Sequence, residues 1–366
     1  MDTLHQSPTD PAFVQNPYPF YDRARARGPF FHWAEYSLTC TPNAAAVNAI
    51  LRDRRFGREA PPECAPVIPD HLRPFYAVEA HSMLELEPPR HTRLRSLVLR
   101  AFTSRRIAAL EPEIRQLSHD LIDAIPAGAF DLLTHFGQKL PVIIIARLLG
   151  VPESMSDDLL RWSNSMVGMY MAGRTRQTED RAVTAATEFV AFLRGYVEAR
   201  RNDPRDDLIT HLIAAEQDGD RLTTDELITT CILLLNAGHE ATVHTIGNGV
   251  KTLLETRTQA ALSPDRIEAT VEEMLRFDPA LHLFTRWAYE EIDVMGHRFQ
   301  RGDQVGLLLA AANRDPGVWD DPARFHPQVA LPILFDRLPG LHLTEAPEYA
   351  DVYHFHGLKR LRVARD

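Results

Sequence analysis

From Pro88 to Leu254 one pattern runs almost without interruption: apolar residues return at intervals of three and four. HTRLRSLVLRAF, LSHDLIDAI, ATEFVAFLRGYVEARR and DELITTCILLLNAG all show it, and that period lays an apolar stripe along one side of a helix. Such stripes must be buried against one another, which commits most of the chain to a helical core. TTDEL supplies one helix start, with Thr or Asp as cap and acids in the first turn. SPDRIEATVEEMLRF supplies another, with Ser263 as cap and Pro264 at the first helical position. The flanks differ. Up to about Arg58, Pro-rich turns alternate with the strand-like runs PFFHW and SLTC. After Pro279, TRWAYEEIDVMGHRFQRGDQVGLLLAAAN alternates and turns at glycines, as small β-hairpins do. The expectation is a mainly α fold with a minor, late β portion, in a single domain spanning residues 1–366 without internal repeats.

Composition allows this. Of 366 residues, 45% are apolar and 25% charged, enough for a large core. The net charge of −10 and pI near 5.9 argue against nucleic acid as a partner. The basic run RLRSLVLRAFTSRR reads as helix surface or as a contact for an anionic cofactor. Cys40, Cys64 and Cys231 are the only cysteines. They have no metal-ligand spacing, so free thiols in a reducing compartment are expected. MDTLHQSPTD has neither a basic nor an apolar leader region, and no apolar run reaches membrane-spanning length. A cytoplasmic protein without membrane contact is expected.

Four constellations could carry chemistry. In LLLNAGHEATVHT, Ala237 and Gly238 precede His239 and Glu240 within a helical pattern. A glycine there costs about 1 kcal/mol against alanine. It suits a helix crossing or the approach of a flat ligand, with Glu240 on a solvated face in the first case and relaying protons in the second. In VEEMLRF, Glu273 and Arg276 are three apart and share a helix face. In EPPRHTRLR, His91 and Arg95 are four apart and could clamp an acidic ligand group or simply line a basic surface. In LHLFTRWA, Arg286 sits among apolar residues and requires an anionic partner.

In this order and at these separations the four segments resemble the cytochrome P-450 superfamily, in its soluble bacterial haem-thiolate form. NPYPFYDRARARGP, ARRNDPRDDLITHLI, AAANRDPGVWDDPARFHP, LPGLHL and YHFHGLKRLRV extend the likeness over nearly the whole chain. The resemblance implies a haem-dependent monooxygenase that hydroxylates a small apolar substrate with electrons from a ferredoxin-type donor. It implies that His91, Arg95 and Arg286 hold haem propionates. Ala237, Gly238 and Glu240 would lie over the haem, and Glu273 and Arg276 would lock the scaffold beneath it. Asn313, Arg314, Asp315 and Pro316 would form the following loop, with Arg314 joining that ionic network. The substrate pocket would draw on Phe56 to Leu86, WSNSMVGMYMAG and Leu233 to Ala241.

Two departures qualify this. The family places a proton-delivering Thr directly after the acid; here that position is Ala241, and Thr242 comes one later, pointing elsewhere. More seriously, the family's Gly-rich loop with its cysteine iron ligand is absent. FHP runs straight into QVALPILFDRL, which resembles only the later part of the next helix, as if the chain carried an internal deletion near 325–329. No cysteine follows Cys231, so no metal ligand is assigned. His326, His282, His354 and His356 are the histidines that could replace it. A haem-sized dry void of roughly 500 Å³ would cost ~12 kcal/mol, so an empty pocket should flood or collapse. The leading expectation is a pseudoenzyme, inactive for want of the thiolate. The alternatives are a haem-free partner, for example of a glycosyltransferase, and an active monooxygenase with an incomplete sequence.

Overall fold

A computed structural model describes residues 1–102, 109–217, 219–259, 267–325 and 332–365. Its axis is the helix Thr224–Thr256, 33 residues long. Of the two caps the sequence offered, Thr223 is the one used. Its hydroxyl accepts from the Glu226 amide at 3.2 Å, and Glu226 Oε2 accepts from the Thr223 amide at 2.8 Å. This reciprocal box satisfies two amides that a helix start otherwise strands. The helix ends where Arg257 turns left-handed, at φ 55°.

The central helix is buried along most of its length, because helices pack on several of its sides. Lys139–Leu149, Ser156–Val167 and Arg176–Asn202 lie against it. Leu227, Ile228, Cys231, Ile232 and Leu235 join one apolar cluster with these helices. Ile246, Val250, Leu253 and Leu254 join a second, with the C-terminal strands. The mainly helical reading of 88–254 therefore holds. Ser263 and Pro264, expected to start the next helix, lie outside the described residues; that helix is described over Ile267–Phe277.

The minor β portion is mixed. A six-stranded sheet runs Thr3–Leu4, Phe31–Trp33, Leu38–Thr41, Gln304–Leu308, Leu283–Ala288 and Phe56–Gly57. Gln304–Leu308 pairs antiparallel with Leu283–Ala288, placing Val305 opposite Arg286. It pairs parallel with Leu38–Thr41, placing Val305 opposite Thr39. The hairpin Ile292–Val294/His297–Phe299 turns through Met295 and Gly296 at φ 47° and 80°, the pair of positive values a two-residue hairpin turn requires.

At the join after DPARF, Phe325 is buried, edge-on to Phe277 at 5.4 Å. His326, Pro327 and Gln328 lie outside the described residues. The apolar helix read from QVALPILFDRL is described only over Pro332–Arg337. It rests on the helix Glu111–Asp123, where Arg337 donates to Asp123 and to His119 Nδ1, the latter at 2.7 Å. Among the described residues no helix is long and apolar enough to cross a membrane.

Candidate functional site

The site grows from the helix Arg90–Ala101. Leu94, Leu97, Val98 and Ala101 form its buried stripe. Arg93 clips it to the start of the central helix, donating to Glu226 at 2.7 Å and to Asp220. His91 and Arg95 project from another side, into a cavity of about 760 Å³. Neither side chain has a hydrogen-bond or ion-pair partner among the described residues. Across the cavity stand Ala237, Gly238 and Thr242, and Pro141 and Ile145 of the helix Lys139–Leu149 close it. The space has not collapsed, and it opens to solvent.

Gly238 has two reasons to be glycine. It borders the cavity, and a Cβ there would lie 3.0 Å from Ile145 Cδ1 across the helix crossing. The crossing reading and the flat-ligand reading are thus not exclusive. The solvated face that accompanied the first of them is not found. Glu240 is 8% exposed, with Oε2 3.3 Å from His244 Nε2. Glu240 and Ala241 border a second cavity of about 240 Å³, and Thr242 borders the first. Successive residues lie about 100° apart around a helix, and Thr242 accordingly points away from the side that Ala241 faces.

Glu79, Tyr170, Asn236, Phe284 and His354 also line the second cavity. Burial raises the Glu79 carboxyl to about pKa 7, against the opposing hydrogen bond from Tyr170 and with a smaller push from Glu85. Tyr170 donates to Glu79 Oε2 at 2.5 Å. Arg58, on the same wall, is held by Glu85 at 2.8 Å and Thr285 Oγ1 at 2.7 Å.

Arg286 borders neither cavity. It lies half-buried over the Phe284 ring at 4.5 Å and donates to the Thr285 carbonyl at 3.0 Å. No carboxylate pairs with it among the described residues. Its pKa is pushed down, by burial first and by Arg58 second. The structure thus brings His91, Arg95, Ala237 and Gly238 to one cavity, which Arg286 does not line.

Glu273 and Arg276 form the expected pair, 11% and 6% exposed. The remaining guanidinium hydrogens reach the carbonyls of Asn313 at 3.1 Å, Pro322 at 3.0 Å and Arg324 at 3.0 Å. Arg314 does not join the ionic pairing. It donates to the Phe277 carbonyl at 2.8 Å, and its guanidinium lies over the Tyr18 and Phe277 rings at 3.5 and 3.9 Å. Two aromatic faces and a carbonyl satisfy it without an acid.

None of the three cysteines borders either cavity. Cys40 is buried in the sheet, Cys64 faces the Gly302 carbonyl, and Cys231 is buried in the helical core. Burial pushes the Cys231 thiol up to about 12 and lifts that of Cys40 as well, so both are poor thiolates. Of the histidines considered as replacements, His326 lies outside the described residues. His354 reaches the second cavity. His282 and His356 are buried together and line neither cavity.

Of the segments expected to supply a substrate pocket, Met83, Leu84, Leu233, Leu234 and Ala237 border the first cavity. Sequence reasoning missed the helix Lys139–Leu149, whose PVIIIARLLG reads as ordinary core. It also missed the Glu79–Tyr170 contact, which joins residues far apart in sequence.

Residues 267–329 match the family model described as "Cytochrome P450". The chain is 31% identical to a biotin biosynthesis cytochrome P450 of Bacillus subtilis (strain 168), across 399 aligned residues covering 99% of both chains. It is 36% identical to the cytochrome P450 monooxygenase PikC of Streptomyces venezuelae, over 86% of this chain and 75% of that one. Its structure superposes with a TM-score of 0.90 on P450BioI, solved in complex with hexadec-9Z-enoic acid ligated acyl carrier protein. Identity there is 29%, covering 97% of this chain and 99% of that one.

Proposed function

The chain belongs to the cytochrome P450 family, and from that premise we propose that it descends from a haem-dependent monooxygenase of small apolar substrates but no longer activates oxygen. The observation that carries this reading is the position of the cysteines: none borders the cavity into which His91 and Arg95 point.

The family implies haem, and the residues meet that requirement in part. An imidazole and a guanidinium one turn apart, without acid partners, suit two propionates, and the glycine wall suits a flat ring. The iron side does not fit. A thiolate ligand donates electron density that favours O–O cleavage, and no cysteine lies within reach. No reaction step at iron follows from these residues, and Glu240 and Thr242 have no assigned role in one.

Two facts support an internal deletion near 325–329 within a single domain of residues 1–366. The family-model match stops at residue 329. The alignment to the biotin relative spans 399 positions against 366 residues here, so at least 33 of them have no counterpart in this chain. By likeness to P450BioI, the ancestral substrate would be an apolar chain and a carrier protein a candidate partner, beside a ferredoxin-type electron donor. The same reading places the protein in the cytoplasm. A long-established haem-free partner role is disfavoured, because His91, Arg95 and Arg286 all remain without acids among the described residues.

The test is reconstitution with haem, reduction and addition of carbon monoxide. The expected spectrum lacks the thiolate-type Soret band; its appearance would overturn the reading. Resequencing the codons for Phe325 to Val329 adds an independent check, since an in-frame cysteine loop there would make the chain an ordinary monooxygenase.

A further inference from the structure

Three buried side chains meet outside both cavities. Asp278 follows the helix Ile267–Phe277, His282 precedes the strand Leu283–Ala288, and His356 precedes the strand Leu358–Arg360. Their exposures are 4%, 0% and 1%. One ligand atom from each lies within 4.8 Å of the others. Asp278 Oδ1, His282 Nε2 and His356 Nδ1 have no hydrogen-bond partner among the described residues, and the other His356 nitrogen, Nε2, faces Asp278 Oδ1 at 3.8 Å. Buried groups of this kind are nearly always satisfied by protein, water or an ion.

The surroundings decide which atoms are free. Tyr21 gives its single hydroxyl proton to Tyr353 Oη at 2.9 Å. Its 2.8 Å contact with His282 Nδ1 must therefore be donated by the histidine. That fixes the tautomer and leaves a lone pair on Nε2. Asp278 Oδ2 is occupied by the Tyr349 hydroxyl and by Lys251 Nζ at 3.1 Å, which turns Oδ1 to the histidines. Asn248 donates to the carbonyls of Asp278 at 3.1 Å and His356 at 2.8 Å, tying both segments to the central helix. The Tyr349 ring stacks on His356 at 3.8 Å.

We propose that Asp278, His282 and His356 form a buried binding site for a divalent first-row transition ion of the Zn²⁺ class. The ion would pin the C-terminal segment to the end of the Ile267–Phe277 helix and the edge of the sheet. Two imidazoles and a carboxylate are donors that select such ions over Ca²⁺ or Mg²⁺. Tyr21, Tyr349 and Lys251 supply the outer partners that orient ligands in metal sites. Ligand atoms about 2.1 Å from one tetrahedral ion lie about 3.4 Å apart. From the 4.8 Å limit a pair would close by about 1.4 Å on binding, through side-chain rotation toward the ion. None of the three borders the haem-type cavity, so the proposal stands apart from the oxygen chemistry.

The test uses full-length, tag-free protein stripped with a chelator and titrated with Co²⁺, read by visible absorption and by melting temperature. One tight equivalent with ligand-field bands and a raised melting temperature is expected. Asp278→Asn and His282→Ala should each abolish it. Tyr21→Phe, which removes the orienting contact together with the bond to Tyr353, should weaken it roughly 10- to 100-fold. His5→Gln, at an exposed histidine, should leave it intact. The proposal is overturned if the wild-type chain takes up no tight equivalent, or if Asp278→Asn binds as wild type. Should His282→Ala fail to fold, Asp278→Asn and Tyr21→Phe decide the matter.

Discussion

Arg276 grips Glu273 with two parallel hydrogen bonds, Nε to Oε2 and Nη2 to Oε1, each 2.6 Å long. Its other donors hold three carbonyls of the loop 313–324. One side chain therefore fastens the helix Ile267–Phe277 to the segment that leads to the join. Removing one partner of a buried pair typically costs about 3–5 kcal/mol. Arg276→Ala should lie in that range by urea denaturation. Glu273→Ala should cost less, because the guanidinium keeps its carbonyls. Arg276→Lys should recover little, since an ammonium cannot reproduce the planar fork.

The cradle at His91 and Arg95 can be tested without iron. Iron-free protoporphyrin carries the same two propionates and needs no axial ligand. A hydrogen bond to a charged group contributes about 1.5–3 kcal/mol. Arg95→Ala should therefore weaken porphyrin binding roughly 10- to 100-fold, read by fluorescence titration. Arg93→Ala, on another side of the same helix, should change it little while lowering stability. Equal affinities for wild type and Arg95→Ala would remove the anion-cradle reading.

Glu79 sets a pH dependence. A glutamate carboxyl ordinarily titrates near 4.5, and burial lifts this one to about 7 in the folded protein. The unfolded chain thus releases this proton before the folded one does. The associated stability is full below about pH 4.5 and declines as pH rises to about 7. Glu79→Gln should flatten the fall in melting temperature over that window and leave the acid side nearly unchanged. An undiminished slope in the variant would locate the titration elsewhere.

Gly357 packs against His244. A Cβ added there would meet the ring at 1.7 to 2.3 Å, and a ring cannot bend away as an alkyl tip can. Gly357→Ala should cost about 1–3 kcal/mol, as overpacking commonly does. It should also disturb the 3.3 Å contact between His244 and Glu240. Thermal unfolding gives the first effect, and His244 chemical shifts across pH give the second.

Much of the fold was legible along the chain because its signals are local. The three-and-four spacing of apolar residues marked the helices, TTDEL marked the start of the central one, and the alternation with glycine turns after Pro279 marked small hairpins. The spacing of Glu273 and Arg276 put both on one face, and their pairing followed. The position of the cysteines is also a matter of sequence: nothing after residue 231 can supply a thiolate.

What lay beyond the sequence depended on which segments meet. Glu240 looked equally suited to solvent or burial, and only the helices packed around Thr224–Thr256 bury it. Arg314 looked ready for an acid, and Tyr18, from the opposite end of the chain, turned it to an aromatic face instead. His282 and His356 were read as candidate substitutes for the missing iron ligand, and the fold instead set them beside Asp278. Periodicity and capping are properties of neighbouring residues, whereas burial, pairing and cavity shape come from contacts between distant ones. In this protein the sequence by itself determined the helices, their caps and the lack of a late cysteine. The tertiary structure alone decided which polar groups were left buried without partners, because desolvation is imposed by the whole set of packed neighbours.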